Sequence, residues 1–446
     1  MNLKPKFLFE GKRYSAIYIK EYLDEEFIEK LKANRICREE KGQLIFYFVG
    51  LIVYKDKYLF VFPKYVDYST EDEILSRKMT LICQLLNKYS VFNSTYDSPE
   101  FLINNFDDEF ISSFAISRFL LEDYLRNGYF SKKITDFGIN EEGEILWEKT
   151  VSEINPYYVK GTPYYLDTFN TRQLNDETNI IIQIHKWAVS YCAEAFAYLH
   201  GIANLDFERM NVDLGDVGEA KYLVNVLERE LQATFIDEKM VLLRALIALI
   251  KKRTDSKLIE LDIYGTREFE YIWEKVCGYV FNNEISKYED SLGKPKWTDF
   301  NATQFITKKT FKPDIIKTYV VDAQRYFLIL DAKYYNIRFK EGDLKGNPGV
   351  NDVAKQLLYE QALSSYTKES ITRNMFLFPY DKDELFDVFG NVNLDFMEMD
   401  PVILVFLSAD KIYKNYLNED VFTIDEYRQL ENKILNSKTP DCLILK

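Results

Sequence analysis

Pro313 and Asp314 precede one apolar run, and Asp331, Ala332 and Lys333 close the next, within the stretch FKPDIIKTYVVDAQRYFLILDAKYY that spans residues 311–335. Two carboxylates and an ammonium gathered at the mouth of a sheet are unfavourable unless a cation or a reaction requires them. Metal-assisted hydrolysis suits such a set. A divalent cation removes the repulsion between the carboxylates, and all-oxygen ligation points to Mg2+, with Mn2+ able to substitute. The ammonium of Lys333 would orient or deprotonate the attacking water, or stabilise charge building on a phosphoryl oxygen, as phosphodiester hydrolysis needs.

The elements that position these groups are readable from the alternation. Over Tyr326–Lys333, Phe327, Ile329, Asp331 and Lys333 fall on one face of a strand and Leu328, Leu330 and Ala332 on the other. Ile315–Val321 is also β-rich and Asp322–Arg325 resembles a turn, so an antiparallel hairpin is expected. Asp314 joins the face of Asp331 and Lys333 only if opposing residue numbers add to 645 or 647; 646 turns it away. A third acid is expected from the preceding helix, REFEYIWEKVCGYV over 267–280. Its apolar stripe is Phe269, Ile272, Trp273, Val276 and Val280, with Glu270 and Glu274 four apart on one flank, where two solvated surface glutamates are an equally good reading. After the hairpin, NDVAKQLLYEQALSSY (351–366) is an amphipathic helix carrying Gln356 and Tyr359 three apart. Both can bond a phosphate, a water or a metal ligand, and taken singly both read as ordinary helix-surface residues.

A net charge of −14 repels phosphate at long range, so DNA binding needs a local basic groove or a partner that delivers it. Lys308, Lys309, Lys312 and Lys317 crowd the segment beside the acids, with Arg338 and Lys340 following, either as phosphate contacts or as a solvated basic edge. Five scattered cysteines without C-x-x-C spacing argue against a disulfide framework, zinc or iron–sulfur, and fit a reducing cytoplasm. The longest apolar segment, VLLRALIALI (241–250), is broken by Arg244, so neither secretion nor membrane spanning is expected. His185 and His200 are too far apart to share a metal site and read as structural. No G-x-x-x-x-G-K-[ST], G-x-S-x-G or H-E-x-x-H occurs.

Along the chain, residues 43–65 read as a hairpin turning at Lys55-Asp56-Lys57. Helical spacing runs from about 105 to Asn127-Gly128, FGINEEGEILWEKTV (137–151) reads as a short hairpin, and helices dominate 178–253 before a boundary near Thr254-Asp255-Ser256. The expected fold is mixed α/β of the α+β type: a β-rich N-terminal domain (1–100), a mostly helical connector (101–256) and a C-terminal domain (257–446) built on a mixed sheet flanked by helices.

The order of helix with Glu, strand with Pro-Asp, strand ending Asp-x-Lys and helix with Gln and Tyr resembles the PD-(D/E)xK nuclease superfamily. FYFVGLIVYKDKYLFVFPKY, GEILWEKTV with Gly143, Trp147 and Thr150, IYGTREFEYIWEKV and DVAKQLLYEQAL are similar to the LlaJI restriction endonuclease family, a relative of the McrC subunits. The aromatic residues of these stretches read most simply as core. The resemblance implies Mg2+-dependent cleavage of foreign duplex DNA in a bacterial restriction system. Asp314, Asp331 and Lys333 would be its signature trio, and Glu270 or Glu274 the helix acid. The ion would lie on Asp314, Asp331 and the Ala332 carbonyl. It also implies an N-terminal partner-interaction domain and a McrB-like AAA+ GTPase hexamer on a separate chain. The rival expectations are an assembly subunit that mainly stimulates that GTPase, and a standalone type II endonuclease.

Overall fold

A computed structural model of the chain describes residues 5–20, 22–54, 57–93, 113–175, 179–200, 202, 213–254, 262–288, 292, 294, 296–298, 300, 304–306, 311–340 and 343–437. The chain divides into two compact units, Met1–Thr95 with Leu261–Lys446, and Tyr96–Glu260.

In the second unit, the helices Ser113–Asn127, Ile180–His200, Ala220–Ala233 and Asp237–Thr254 close around Leu120, Ile184, Leu223, Leu227 and Leu246. Both histidines serve this core. His185 Nδ1 accepts the Phe130 N–H at 2.9 Å and His200 Nε2 meets Ser117 Oγ at 2.9 Å. Burial pushes them down to about 4 and about 3, so both are neutral at pH 7. The hairpin expected over 137–151 does not form. Lys133–Ile139 pairs instead with Phe169–Asn175, and Trp147–Glu153 is a helix. Two contacts favour this course: a side chain at Gly143 would collide with the Thr171 carbonyl, and Thr150 Oγ1 accepts the Phe169 N–H at 3.0 Å. Trp147, expected in the core, lies exposed on this short helix. No helix among the described residues is long and apolar enough to cross a membrane.

In the first unit, Val49–Tyr54 and Lys57–Phe62 form the expected hairpin, while Gln43–Phe46 belongs to a separate three-stranded sheet with Arg13–Ser15 and Cys37–Glu40. Val49–Tyr54 also pairs with Asp262–Thr266, which places Gly50 opposite Gly265. A Cβ on either would strike the facing backbone, so both family-marker glycines answer to close strand approach.

The sheet that carries the acids has five strands, β1 (Ile315–Val321), β2 (Gln324–Ala332), β3 (Ile371–Tyr380), β4 (Phe386–Val392) and β5 (Val402–Ser408), in the order β1-β2-β3-β5-β4. It is mixed: β2, β3 and β5 run parallel, and β1 and β4 antiparallel to their neighbours. Helices α1 (Phe269–Val280) and α2 (Val350–Ala362) pack against it. β2 is buried on both faces, which explains its unbroken apolar run. A buried carboxylate, Glu431, fixes the far end, accepting from Tyr319 Oη at 2.8 Å and from Arg373 at 2.8 and 3.0 Å.

Candidate active site

The β1–β2 turn sets everything downstream. Asp322 and Ala323 both adopt positive φ, as a two-residue hairpin turn of the primed type requires. Val321 therefore faces Gln324 and Ile315 faces Leu330, so opposing numbers add to 645. Continued by one residue, this register puts Asp314 opposite Asp331, on a shared face with Lys333.

The contacts at this end follow from that alignment. Asp314 Oδ2 accepts the Ala332 N–H at 2.9 Å, and Asp314 and Asp331 share a hydrogen bond. Pro313 would oppose Ala332 in the same register and has no N–H to give, so β1 offers the Ala332 carbonyl no amide partner. Asn283, just beyond α1, brackets the strand entry, donating to the Asp314 carbonyl at 2.8 Å and accepting from Ile316 N at 3.1 Å. The Lys333 ammonium lies 2.5 Å from Asp331 Oδ2 and 3.3 Å from Asp352 Oδ1, while its N–H bonds Leu377 of β3. Asp352 sits in the first turn of α2 and accepts the Gly349 N–H. The loop after Lys333 is held by the N-terminal strands: Tyr334 Oη donates to Glu10, and Asn336 Nδ2 donates to the Lys64 carbonyl at 2.8 Å.

The electrostatics are those of crowded acids. Burial pushes Asp314 up to about 8, reinforced by the Asp331 charge and the hydrogen bond between them. Burial opposes the charge on Lys333, but Asp331, Asp352 and Asp314 outweigh it and raise the ammonium above its ordinary range. In this state Lys333 is a cation that orients and stabilises, and not the group that removes a proton.

The two helix glutamates act on different neighbours. Partial burial and then the Asp331 charge raise Glu274, with Lys333 and Lys312 pulling the other way. Glu270, exposed as Glu274 also is, acts instead on Glu10. Glu274→Gln is therefore expected to slow DNA cleavage by roughly 10–100-fold, the range for a group supporting a metal site, and Glu270→Gln to leave it within about twofold. Single-turnover cleavage by the two variants checks this.

Other residues singled out in the sequence fall in different places. Gln356, expected on the helix surface, is fully buried, and its Nε2 straps the Ile329 and Met375 carbonyls of β2 and β3 at 3.1 and 3.4 Å. Tyr359 packs at a tilt against Phe311 with centroids 4.4 Å apart, and burial with the Asp331 and Asp314 charges pushes its phenol up to about 12, so it borders the site. Lys317 is buried against Glu284 at 3.1 Å and is not available to phosphate. Lys312 and Arg338 are exposed. Lys308, Lys309 and the side chain of Lys340 lie outside the described residues. Asp352 and Asn283 escaped the sequence reading because they resemble, respectively, a helix-capping acid and a loop asparagine.

Among the described residues, no three His, Cys, Asp or Glu side chains gather closely enough to hold an ion by themselves. The fit to Mg2+ rests on the Asp314–Asp331 pair, whose mutual repulsion a cation relieves, and on the Ala332 carbonyl. Mg2+ keeps several waters and takes one or two carboxylates, which this donor set supplies, with Glu274 standing further out.

A model of the LlaJI restriction endonuclease family matches residues 48–410. The chain is 36% identical over 443 residues to the type II restriction enzyme BsuMI component YdjA of Bacillus subtilis (strain 168), covering 98% of this chain and 95% of that protein. Among solved structures, it is similar to a chain in a half-complex from the tetradecameric assembly of Thermococcus gammatolerans McrB AAA+ hexamers with bound McrC, with 12% identity and a TM-score of 0.35 over 93% of this chain and 98% of that one. A chain of the Thermococcus gammatolerans McrBC complex matches with 13% identity and a TM-score of 0.25 over 61% and 87%.

Proposed function

The chain belongs to the LlaJI restriction endonuclease family, and from that membership we propose that it hydrolyses phosphodiester bonds of foreign duplex DNA at the Asp314–Asp331–Lys333 site with Mg2+. The observation that carries the reading is the hairpin register, which sets two acids opposite one another with an ammonium 2.5 Å from one of them.

A bound Mg2+ would supply Lewis acidity toward the phosphoryl group and a water made nucleophilic at neutral pH. Asp314, Asp331 and the Ala332 carbonyl would hold it. Lys333, clamped between Asp331 and Asp352, presents a fixed positive charge to the phosphoryl oxygen on which charge grows, and this preorganisation lowers the barrier. Glu274 tunes the pair from α1. The exposed Lys312 and Arg338 and the phenol of Tyr359 would contact the DNA beside the cut.

We assign the motor to a separate chain, a McrB-like AAA+ GTPase hexamer, because this sequence has no phosphate-cradling G-x-x-x-x-G-K-[ST] and its Bacillus subtilis relative is named as one component of a restriction enzyme. The test is cleavage of unmodified duplex DNA by the purified chain, alone and with that GTPase and GTP, in Mg2+ and in EDTA. Cutting in Mg2+ that EDTA abolishes is expected. Cutting unaffected by EDTA contradicts the metal assignment, and absence of cutting in every combination contradicts the nuclease reading.

A further inference from the structure

The side of α1 turned away from its apolar stripe carries Tyr271, Glu274, Lys275 and Gly278 at helical spacing, with Asn282 just past its end. This face borders a cavity of 700 Å³, lined by Tyr89, Tyr271, Lys275, Gly278 and Asn282, and by Asp314 of the acid pair. The groove is therefore continuous with the site.

Gly278 is the informative residue. It lies inside the helix with ordinary backbone angles, and a Cβ there would meet nothing closer than Asn283 Nδ2 at 3.9 Å. Neither conformation nor internal packing asks for glycine, and glycine is less favourable than alanine inside a helix. A position that forgoes a side chain without internal reason suits close approach by something outside the fold. Around it Lys275, Tyr271 and Asn282 offer hydrogen-bond donors, with the carboxyl groups of Glu274 and Asp314 at the end that meets the acid pair. Lys275 has no ion-pair partner among the described residues, and the Tyr271 side chain is half exposed.

We infer that this groove is a subsite for the sugar–phosphate backbone of the strand being cut, with Lys275, Tyr271 and Asn282 donating to phosphate oxygens and Gly278 marking the closest approach. The inference rests on the nuclease reading and adds where the strand runs: from the acid pair along the outer face of α1. It also gives a chain of net charge −14 a local set of donors for phosphate, where its overall field is repulsive.

The test is Mg2+-dependent cleavage by wild type, Lys275→Gln and Gly278→Leu at several salt concentrations, in whatever combination of chain and motor cuts. Lys275→Gln is expected to lower kcat/KM severalfold through KM and to reduce the log–log salt slope by about 1, as loss of one phosphate contact requires. Gly278→Leu is expected to raise KM on the order of tenfold, the scale of one lost contact, with no loss of thermal stability. A purely structural lysine would not move the salt slope. Wild-type KM and salt slope in both variants would overturn the groove and leave the nuclease reading standing. A wild-type chain that never cuts DNA would overturn that reading and this inference with it.

Discussion

Asp331→Asn is expected to lower Mg2+-dependent DNA cleavage by on the order of a thousandfold while the fold persists, the scale for removal of a preorganised charged group from the reacting centre. Asp331 links both halves of the site: it shares a hydrogen bond with Asp314 and holds the Lys333 ammonium at 2.5 Å. Asparagine keeps the shape and removes the charge. A cation then loses half of its carboxylate pair, and Lys333 keeps its ion pair with Asp352, at 3.3 Å. Because Asp314 is protonated at neutral pH and the substitution takes from Lys333 its nearer partner in a largely buried ion pair, the thermal midpoint of the metal-free protein should fall modestly, without loss of the folded state. Single-turnover cleavage paired with thermal unfolding checks both halves, and cleavage within threefold of wild type removes Asp331 from the chemistry.

The second large effect is a proton linked to the metal. Asp314 titrates near 8 instead of its ordinary 3.8, raised by burial and then by Asp331, so at pH 7 the metal-free site carries a proton that a cation must displace. Mn2+ affinity measured without DNA should tighten by nearly tenfold per pH unit up to roughly pH 8 and level off above it; Asp314→Asn should bind more weakly and lose this slope. The stability linkage has a definite sign. A carboxyl whose folded pKa lies above its unfolded one stabilises the fold fully below the unfolded value and loses that contribution as pH rises toward the folded one. The metal-free wild type should therefore lose stability relative to Asp314→Asn between about pH 4 and pH 8, and saturating Mn2+ should cancel the loss. Thermal midpoints of both proteins across that window, with and without Mn2+, measure it.

What the sequence could disclose was set by local periodicity. Alternation restricts the β1–β2 hairpin to pairings of 645 or 647 if Asp314 is to share a face with Asp331, and the turn at Asp322 and Ala323, shorter than the expected Asp322–Arg325, selects 645. Lys317 shows where this fails: Ile315, Ile316 and Lys317 are all buried, so alternation in a doubly covered strand cannot say that the lysine points inward to Glu284. Gln356 had a usable signal, since Val353, Gln356 and Leu357 share one helical stripe and all are buried. The choice between Glu270 and Glu274 depended on how far along α1 the acid pair lies, which is a tertiary fact. So is the pairing of Val49–Tyr54 with Asp262–Thr266, announced only by Gly50 and Gly265. The role of Asp352 depends on α2 starting beside Lys333, nineteen residues along the chain.

The most direct test is anomalous diffraction from crystals of the protein soaked in Mn2+. The account predicts a peak within bonding distance of the Asp314 and Asp331 carboxylates and the Ala332 carbonyl. A DNA-cutting protein whose only ordered Mn2+ sits elsewhere would contradict it.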